Sequence, residues 1–273
     1  MISVIVPAHN EAATIREAVE RLTGPAHSGT LDVVVVCNGC TDGTAAAAQS
    51  AGGGRVVDIE TPSKAVAMQV GDDLSTDFPR FYLDADIAVS VEQLERLAAA
   101  LDGGLLAVAP SVTYDVSRSS PAVRAYFRAL SRLPAQVSGI SGTGCMGLSR
   151  EGRERFGSWP VLVADDYYLD GLFAPHEKAR LTDVTVVVRA PRGVKDLVTR
   201  KLRTLSGNRQ VDRDHPRRHA VERGRGLQGI VRAEPRRLLD VLVFVAVSSW
   251  CRFRLLRGGP STQVWARDRS REA

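Results

Sequence analysis

Residues 31–44 read LDVVVVCNGCTDGT. Four consecutive valines leave no alternation of apolar and polar side chains, so a strand here is buried on both faces. The run then breaks into Asn, Gly, Thr and Asp, the residues of a turn. An Ala-rich stretch over 43–51 reads as a helix, closed by Gly52–Gly54. The same sequence of strand, polar turn and helix recurs on either side. Residues 2–6 form a short buried strand, followed by a helix from Asn10 to Leu22 with Ile15, Val19 and Leu22 at helical spacing. Residues 55–59 form a third strand and Ser63–Leu74 a third helix. RFYL, residues 80–83, is a fourth strand running into Asp84-Ala85-Asp86. Ser90 and Gln93 then make a capping box for a helix to Leu101. Strands alternating with helices in this way predict an α/β fold: a mostly parallel sheet with helices on both faces.

The second half of the chain has a different pattern. Residues 105–116 read as one strand or a bent pair, and Ser120-Pro121 starts a helix. SGISGTGCMG, residues 138–147, is too glycine-rich for a regular helix. Asp165-Asp166 opens a short helix, residues 184–190 form a further strand, and a helix carries Arg200 and Arg203. Residues 207–226 are polar, Arg-rich and Gly-bearing, and are expected to be a loop. Residues 235–257 read as a final helix with an apolar centre. No linker divides the chain into independent domains. The expected organisation is a core over 1–210, split into halves 1–104 and 105–210, and a basic C-terminal extension over 211–273.

In an open parallel sheet, ligands bind beyond the carboxyl ends of the strands. Each polar cluster of the first half falls at such an end: PAHNE after strand one, CNGCTDGT after strand two, DAD after strand four. Asp84 and Asp86 present two hard oxygen donors, suited to Mg2+ or Mn2+ with room left for phosphate oxygens. The chain lacks GxxxxGK[ST] and, after strand one, GxGxxG, which argues against P-loop and dinucleotide sites. Cys37-x-x-Cys40 stands between a strand and a helix, where a redox pair could lie. A place for both thiols beside the ligand pocket is the preferred reading. Asp165-Asp166 is equally what a helix N-terminus favours electrostatically.

VIVPAHNEAATI, VVVVCNGCTDGT, Lys64 in SKAVAMQVG, FYLDAD and ADDYYL stand in the order found in family 2 glycosyltransferases of the GT-A fold, and residues 1–210 resemble that family. The resemblance implies a nucleotide-sugar-binding half and an acceptor-binding half. It places Pro7, Ala8, Asn10 and Glu11 in the first nucleotide-sugar-binding motif, with Glu11 on the nucleobase. Asn38 stands where the family usually has an aspartate at the base. Lys64 lies near the nucleotide, and Asp84, Ala85 and Asp86 form the metal motif, with Asp86 the more direct ligand. Asp166 matches the general base. Asp165 belongs to the same acidic pair on the acceptor side, where Gly144 can approach the sugar closely and Trp159 and Tyr167 offer stacking surfaces. Arg200 and Arg203 partly match a diphosphate-gripping motif, although Thr204 replaces its tryptophan. The implied activity is inverting transfer from a nucleotide-diphosphate sugar, UDP-sugar by default, to an acceptor hydroxyl. The alternatives are a polyprenyl-phosphate sugar synthase and a non-catalytic nucleotide-sugar or polyanion-binding protein.

Composition narrows the field further. The chain has 273 residues, 44% hydrophobic and 25% charged, which excludes disorder of the whole. Four cysteines are too few for a disulfide scaffold. No apolar run reaches the roughly 18 to 20 residues that cross a bilayer, and a secretory leader is not expected. The expected compartment is the cytoplasm. The net charge of +5 conceals a strong asymmetry: −6 over residues 1–199, +8 over 200–237 and +3 over 238–273. Without aromatic interleaving this basic region does not suggest nucleic acid. It does suit phosphate or an anionic membrane face. The stretch Leu238–Cys251 is too short to span but, flanked by Arg236, Arg237, Arg252, Arg254 and Arg257, can lie peripherally in a membrane interface.

Overall fold

The computed structural model describes residues 1–24, 29–52, 54–133, 139–216 and 226–257. Among these, seven strands form one sheet in the order β3-β2-β1-β4-β6-β5-β7. They are β1 (Ile2–Ala8), β2 (Leu31–Asn38), β3 (Arg55–Ile59), β4 (Arg80–Leu83), β5 (Ala107–Asp115), β6 (Cys145–Leu148) and β7 (Lys178–Arg189). β1 pairs in parallel with β2 and β4, and β5 in parallel with β7. The short β6 runs antiparallel to both β4 and β5 and joins the two halves of the sheet. β5 is a single strand whose register with β7 shifts at Pro110/Ser111, so the one-strand reading of this region holds and the bent pair does not.

The helices are α1 (Ile15–Thr23), α2 (Thr44–Ala51), α3 (Lys64–Leu74), α4 (Val91–Asp102), α5 (Pro121–Leu130), α6 (Arg150–Glu154), α7 (Asp165–Leu172), α8 (Val194–Asp214), α9 (Gly226–Ala233) and α10 (Leu238–Leu256). Both faces of the sheet are covered. Val4, Val6 and Ala8 of β1 pack with Ile15, Val19 and Leu22 of α1 and Leu94 and Leu97 of α4. Ile5, pointing the other way, packs with Met68 of α3 and Leu169 of α7. The predicted capping box at Ser90 and Gln93 is formed.

Three expectations need correction. The first helix starts at Ile15 rather than Asn10, because Asn10 has a positive φ of 56° and residues 11–14 form a turn. Residues 207–214 belong to α8 and not to a loop. Gly207 is a contact residue here: a Cβ on it would meet Ala164 Cβ at 3.0 Å, so its absence lets α8 lie close to the start of α7. Gly226, the last residue of the expected loop, starts helix α9. The remainder of the expected loop, 217–225, lies outside the described residues.

β4 is fixed by a buried carboxylate. Asp72, 5% exposed, accepts from Arg80 Nη1 at 2.8 Å, Tyr82 Oη at 2.6 Å, Arg153 Nε at 2.7 Å and Trp159 Nε1 at 2.7 Å. Arg80 and Tyr82 are β4 residues, so this cluster sets the strand that ends in Asp84. Removing one partner of such a cluster leaves buried charges without compensation. Asp72→Ala is expected to lower stability by about 3–5 kcal/mol in denaturant unfolding; a loss below about 1 kcal/mol would show the cluster to be incidental.

Candidate active site

The carboxyl ends of β1 and β4 open onto a cavity of about 600 Å³. Pro7, Glu11, Lys64, Asp84, Ala85, Asp86, Gly144, Asp165, Asp166, Arg200 and Arg203 line it. Elements far apart in the chain therefore bring eleven of the expected residues to one place. His9, Thr143 and Arg189 join them, and the sequence reading had assigned these no role.

The loops that follow β1 and β2 are stitched together. Asn10 Oδ1 accepts from the Thr41 amide at 2.8 Å, and Thr44 Oγ1 accepts from the Glu11 amide at 2.8 Å. Asn38 is fully buried and donates from Nδ2 to the Ala8 carbonyl at 2.8 Å. An aspartate there would set a carboxylate against that carbonyl, which accounts for the amide. Asn10, Asn38 and Ala8 thus shape the loops and do not line the cavity. Cys37 and Cys40 do not line it either. Burial, then the neighbouring Cys40 and Asp58, pushes the Cys37 thiol up to about 12. A redox pair needs an accessible thiolate, so these cysteines are packing residues.

The glycine-rich segment connects the two sets of carboxylates. The Gly144 carbonyl accepts from the Asp84 amide at 2.8 Å, while the Gly142 amide donates to Asp166 Oδ2 at 2.6 Å. Gly144 has a φ of 68°, and a Cβ there would lie 2.6 Å from Ile87 Cγ1 and 3.2 Å from Asp84 Oδ2. Only glycine fits this approach. The segment is itself anchored from below. Arg180 of β7, 7% exposed, donates to the Gly139 carbonyl at 2.6 Å and the Ser141 carbonyl at 2.5 Å. Asp170 accepts from the Ile140 amide at 2.9 Å and from Lys178 Nζ at 2.9 Å. Asp170, Lys178 and Arg180 carried no motif that sequence reasoning could have seized on; the i, i+4 spacing of Asp166 and Asp170 was the one available hint.

Lys64 lies between two carboxylates, 2.8 Å from Asp84 Oδ1 and 3.1 Å from Asp165 Oδ2. Burial disfavours its charge, but Asp165 and Asp84 outweigh burial and hold the ammonium protonated. Asp166 differs from its neighbour. Burial first, then the charge of Asp165, pushes its pKa up to about 6, against the Gly142 amide and Lys64. A carboxylate of this kind is charged at neutral pH yet basic enough to take a proton. Asp165, 5% exposed, is committed to Lys64.

Two expected acceptor-side residues do not reach the cavity. Trp159 is 5% exposed, bonded to Asp72 and edge-on to Tyr82 at 4.7 Å between ring centroids. It is a core residue and offers no stacking surface. Tyr167 points along α8, donating to Asp212 Oδ1 at 3.1 Å. Arg200 and Arg203 do line the cavity, carried by α8 as expected.

The family model for glycosyl transferase family 2 matches residues 3–155, more than half of the chain. No curated protein sequence matches it. Among solved structures, similarity extends to a mannosyltransferase from Pyrobaculum calidifontis in complex with GDP-Man and Mn2+, with a TM-score of 0.62 and 20% identity over 96% of this chain and 76% of that one. A glucosyl-3-phosphoglycerate synthase from Mycobacterium tuberculosis, in complex with Mg2+ and uridine-diphosphate, has a TM-score of 0.53 and 22% identity over 78% and 79%. The same enzyme with Mn2+, uridine-diphosphate-glucose and phosphoglyceric acid has a TM-score of 0.54 and 21% identity over 77% and 79%. At these identities the likeness is one of fold, the GT-A arrangement of a mostly parallel sheet.

Arg180→Met removes two buried donors from the segment that holds Asp166. Amide exchange at Gly142 is expected to speed up by about tenfold or more, the effect of about 1.4 kcal/mol or more of lost anchoring. Unchanged protection there would show that the segment does not depend on Arg180.

Proposed function

Because the chain belongs to glycosyl transferase family 2, we propose that it is an inverting, metal-dependent hexosyltransferase that moves a sugar from a nucleotide-diphosphate sugar to an acceptor hydroxyl. UDP-sugar is the default donor, with GDP- and dTDP-sugars as the other candidates. The observation that carries this reading is the convergence of Asp84, Asp86 and Asp166 on one cavity, with the Gly142–Gly144 backbone holding Asp84 and Asp166. Residues 1–104 would hold the donor and residues 105–210 the acceptor.

The cavity's own charge supports a cation partner. Its lining contains seven carboxylates, at Glu11, Glu17, Asp84, Asp86, Asp115, Asp165 and Asp166, against five cations, at Arg21, Lys64, Arg189, Arg200 and Arg203. An anionic diphosphate entering such a lining needs added positive charge. The donor atoms of Asp84 and Asp86 are oxygens only, which suits Mg2+ or Mn2+. Among the described residues no group of three or more His, Cys, Asp or Glu is arranged to hold a metal. Asp84 and Asp86 would therefore hold the ion jointly with the nucleotide. Bound there, the ion supplies Lewis-acid neutralisation of the departing diphosphate.

The remaining roles belong to the chain. Lys64, Arg200 and Arg203 bring fixed positive charge to the diphosphate side. Asp166 accepts the proton of the acceptor hydroxyl as its oxygen bonds to the anomeric carbon. The bond from that carbon to the diphosphate oxygen breaks, and its electron pair leaves with the nucleotide. Base and leaving group on opposite faces of the sugar give inversion, as in inverting glycosidases with an alcohol in place of water. Gly144 keeps the wall beside Asp84 free of a side chain.

Asp166 must be ionised to act, so kcat/KM should rise with pH through about 6 and level off above it. Asp166→Asn should lower kcat by about 10²–10⁴-fold and leave nucleotide binding nearly unchanged. Steady-state rates and product anomer analysis by NMR check both points. A variant with full activity would contradict the base role and favour an acceptor already ionised, such as a lipid phosphate.

A further inference from the structure

The outer face of α10 is apolar, and among the described residues nothing covers it. Thirteen large hydrophobic residues are exposed among the described residues, and seven of them lie on this one helix. Leu239 is 69% exposed, Leu242 55%, Trp250 51%, Phe253 45% and Leu256 76%. The inner face is a different set: Val241, Phe244, Ser248 and Cys251 are buried against α5 and α8. With 3.6 residues per turn, the exposed residues fall on one continuous stripe opposite the buried ones.

Charge identifies the partner. Arg252 and Arg254, both exposed, fall by the same helical period on the two borders of the stripe, and Arg257 closes its C-terminal end. The helix has one carboxylate, Asp240. It is 4% exposed and turned inward, held by Arg128 at 2.6 Å and Arg237 at 3.2 Å. The outer face thus combines leucine, tryptophan and phenylalanine with a cationic border and has no negative charge. Such a face fits the headgroup region of an anionic bilayer, with the apolar stripe inserted and the guanidinium groups on lipid phosphates. Among the described residues no helix is long and apolar enough to cross a membrane, so the helix would lie in the surface plane.

We propose that α10 is a membrane-surface helix that docks the protein on anionic lipid. The placement has a consequence for the cavity. α8, which carries Arg200 and Arg203 to its lining, packs directly on the inner face of α10: Lys201 Nζ is 5.6 Å from the Phe244 ring, and Cys251 Sγ is 3.9 Å from the Val198 carbonyl. Docking would therefore hold the cavity one helix away from the lipid headgroups. Adhesion itself is independent of which sugar is transferred.

The test is co-sedimentation of the full chain with vesicles of equal parts phosphatidylglycerol and phosphatidylcholine, and with phosphatidylcholine alone, at low and high salt. Binding to the anionic vesicles, weakened by salt, is expected, with Trp250 emission moving to the blue. The triple variant Leu239→Gln, Leu242→Gln, Phe253→Gln should bind at least about tenfold more weakly, and Arg252→Gln with Arg254→Gln about tenfold more weakly to anionic vesicles only. These positions are exposed, so unchanged thermal unfolding confirms that the variants fold. No binding to anionic vesicles at low salt would overturn the proposal. So would a stable dimer in sedimentation velocity that the triple variant dissociates, since a second copy would then cover the face.

Discussion

Three residues of backbone, Gly142 to Gly144, hold the two acidic sides of the cavity in a fixed relation. Asp84 follows β4, and Asp166 stands in the first turn of α7. The carbonyl of Gly144 fixes the amide of Asp84, and the amide of Gly142 fixes the carboxylate of Asp166. A backbone strap of this kind has little freedom of its own when its other groups are satisfied. Here Arg180 and Asp170 anchor the residues just before it, Arg180 at the Gly139 and Ser141 carbonyls and Asp170 at the Ile140 amide. A side chain at Gly144 would push the strap off Asp84 and Ile87. The placement of the Asp84 backbone and of the Asp166 carboxylate follows from that contact.

The electrostatics of the site divide two adjacent aspartates between different tasks. Asp165 is buried and paired with Lys64, which it shares with Asp84. Asp166 faces the cavity, and desolvation and its neighbour keep its proton affinity high. One helix start thus supplies a structural counter-ion and a basic carboxylate. The helix dipole stabilises both, so the preference of acidic residues for helix starts and the functional reading of the pair are compatible.

The first half of the fold was legible because its strands are unbroken apolar runs and its helices have local caps; Ser90 with Gln93 is an example. The convergence of the strand ends followed from parallel topology alone. What remained hidden depended on contacts between distant residues. β6 is four residues long, too short for any periodicity, and its Gly147 packs under the Phe81 ring. Gly207 looked like a helix breaker and is a point of close packing. Trp159 looked like a sugar platform until Asp72, 87 positions away in sequence, captured its indole N–H. Asn38 looked like a departure at the base and is a donor to a strand carbonyl. Arg180 and Lys178 gave no signal, because a lone cation on a strand reads as solvated until its buried partners are seen.

The proposed activity requires the cavity to take a nucleoside diphosphate together with a divalent cation. Calorimetric titration of the wild-type protein with UDP, GDP and dTDP, each with and without Mn2+, measures that property directly. One nucleotide should bind, and Mn2+ should strengthen its binding, because on the proposed reading Asp84 and Asp86 would hold the ion only with the diphosphate in place. Well-folded protein that binds none of the three, with or without the metal, would contradict the account.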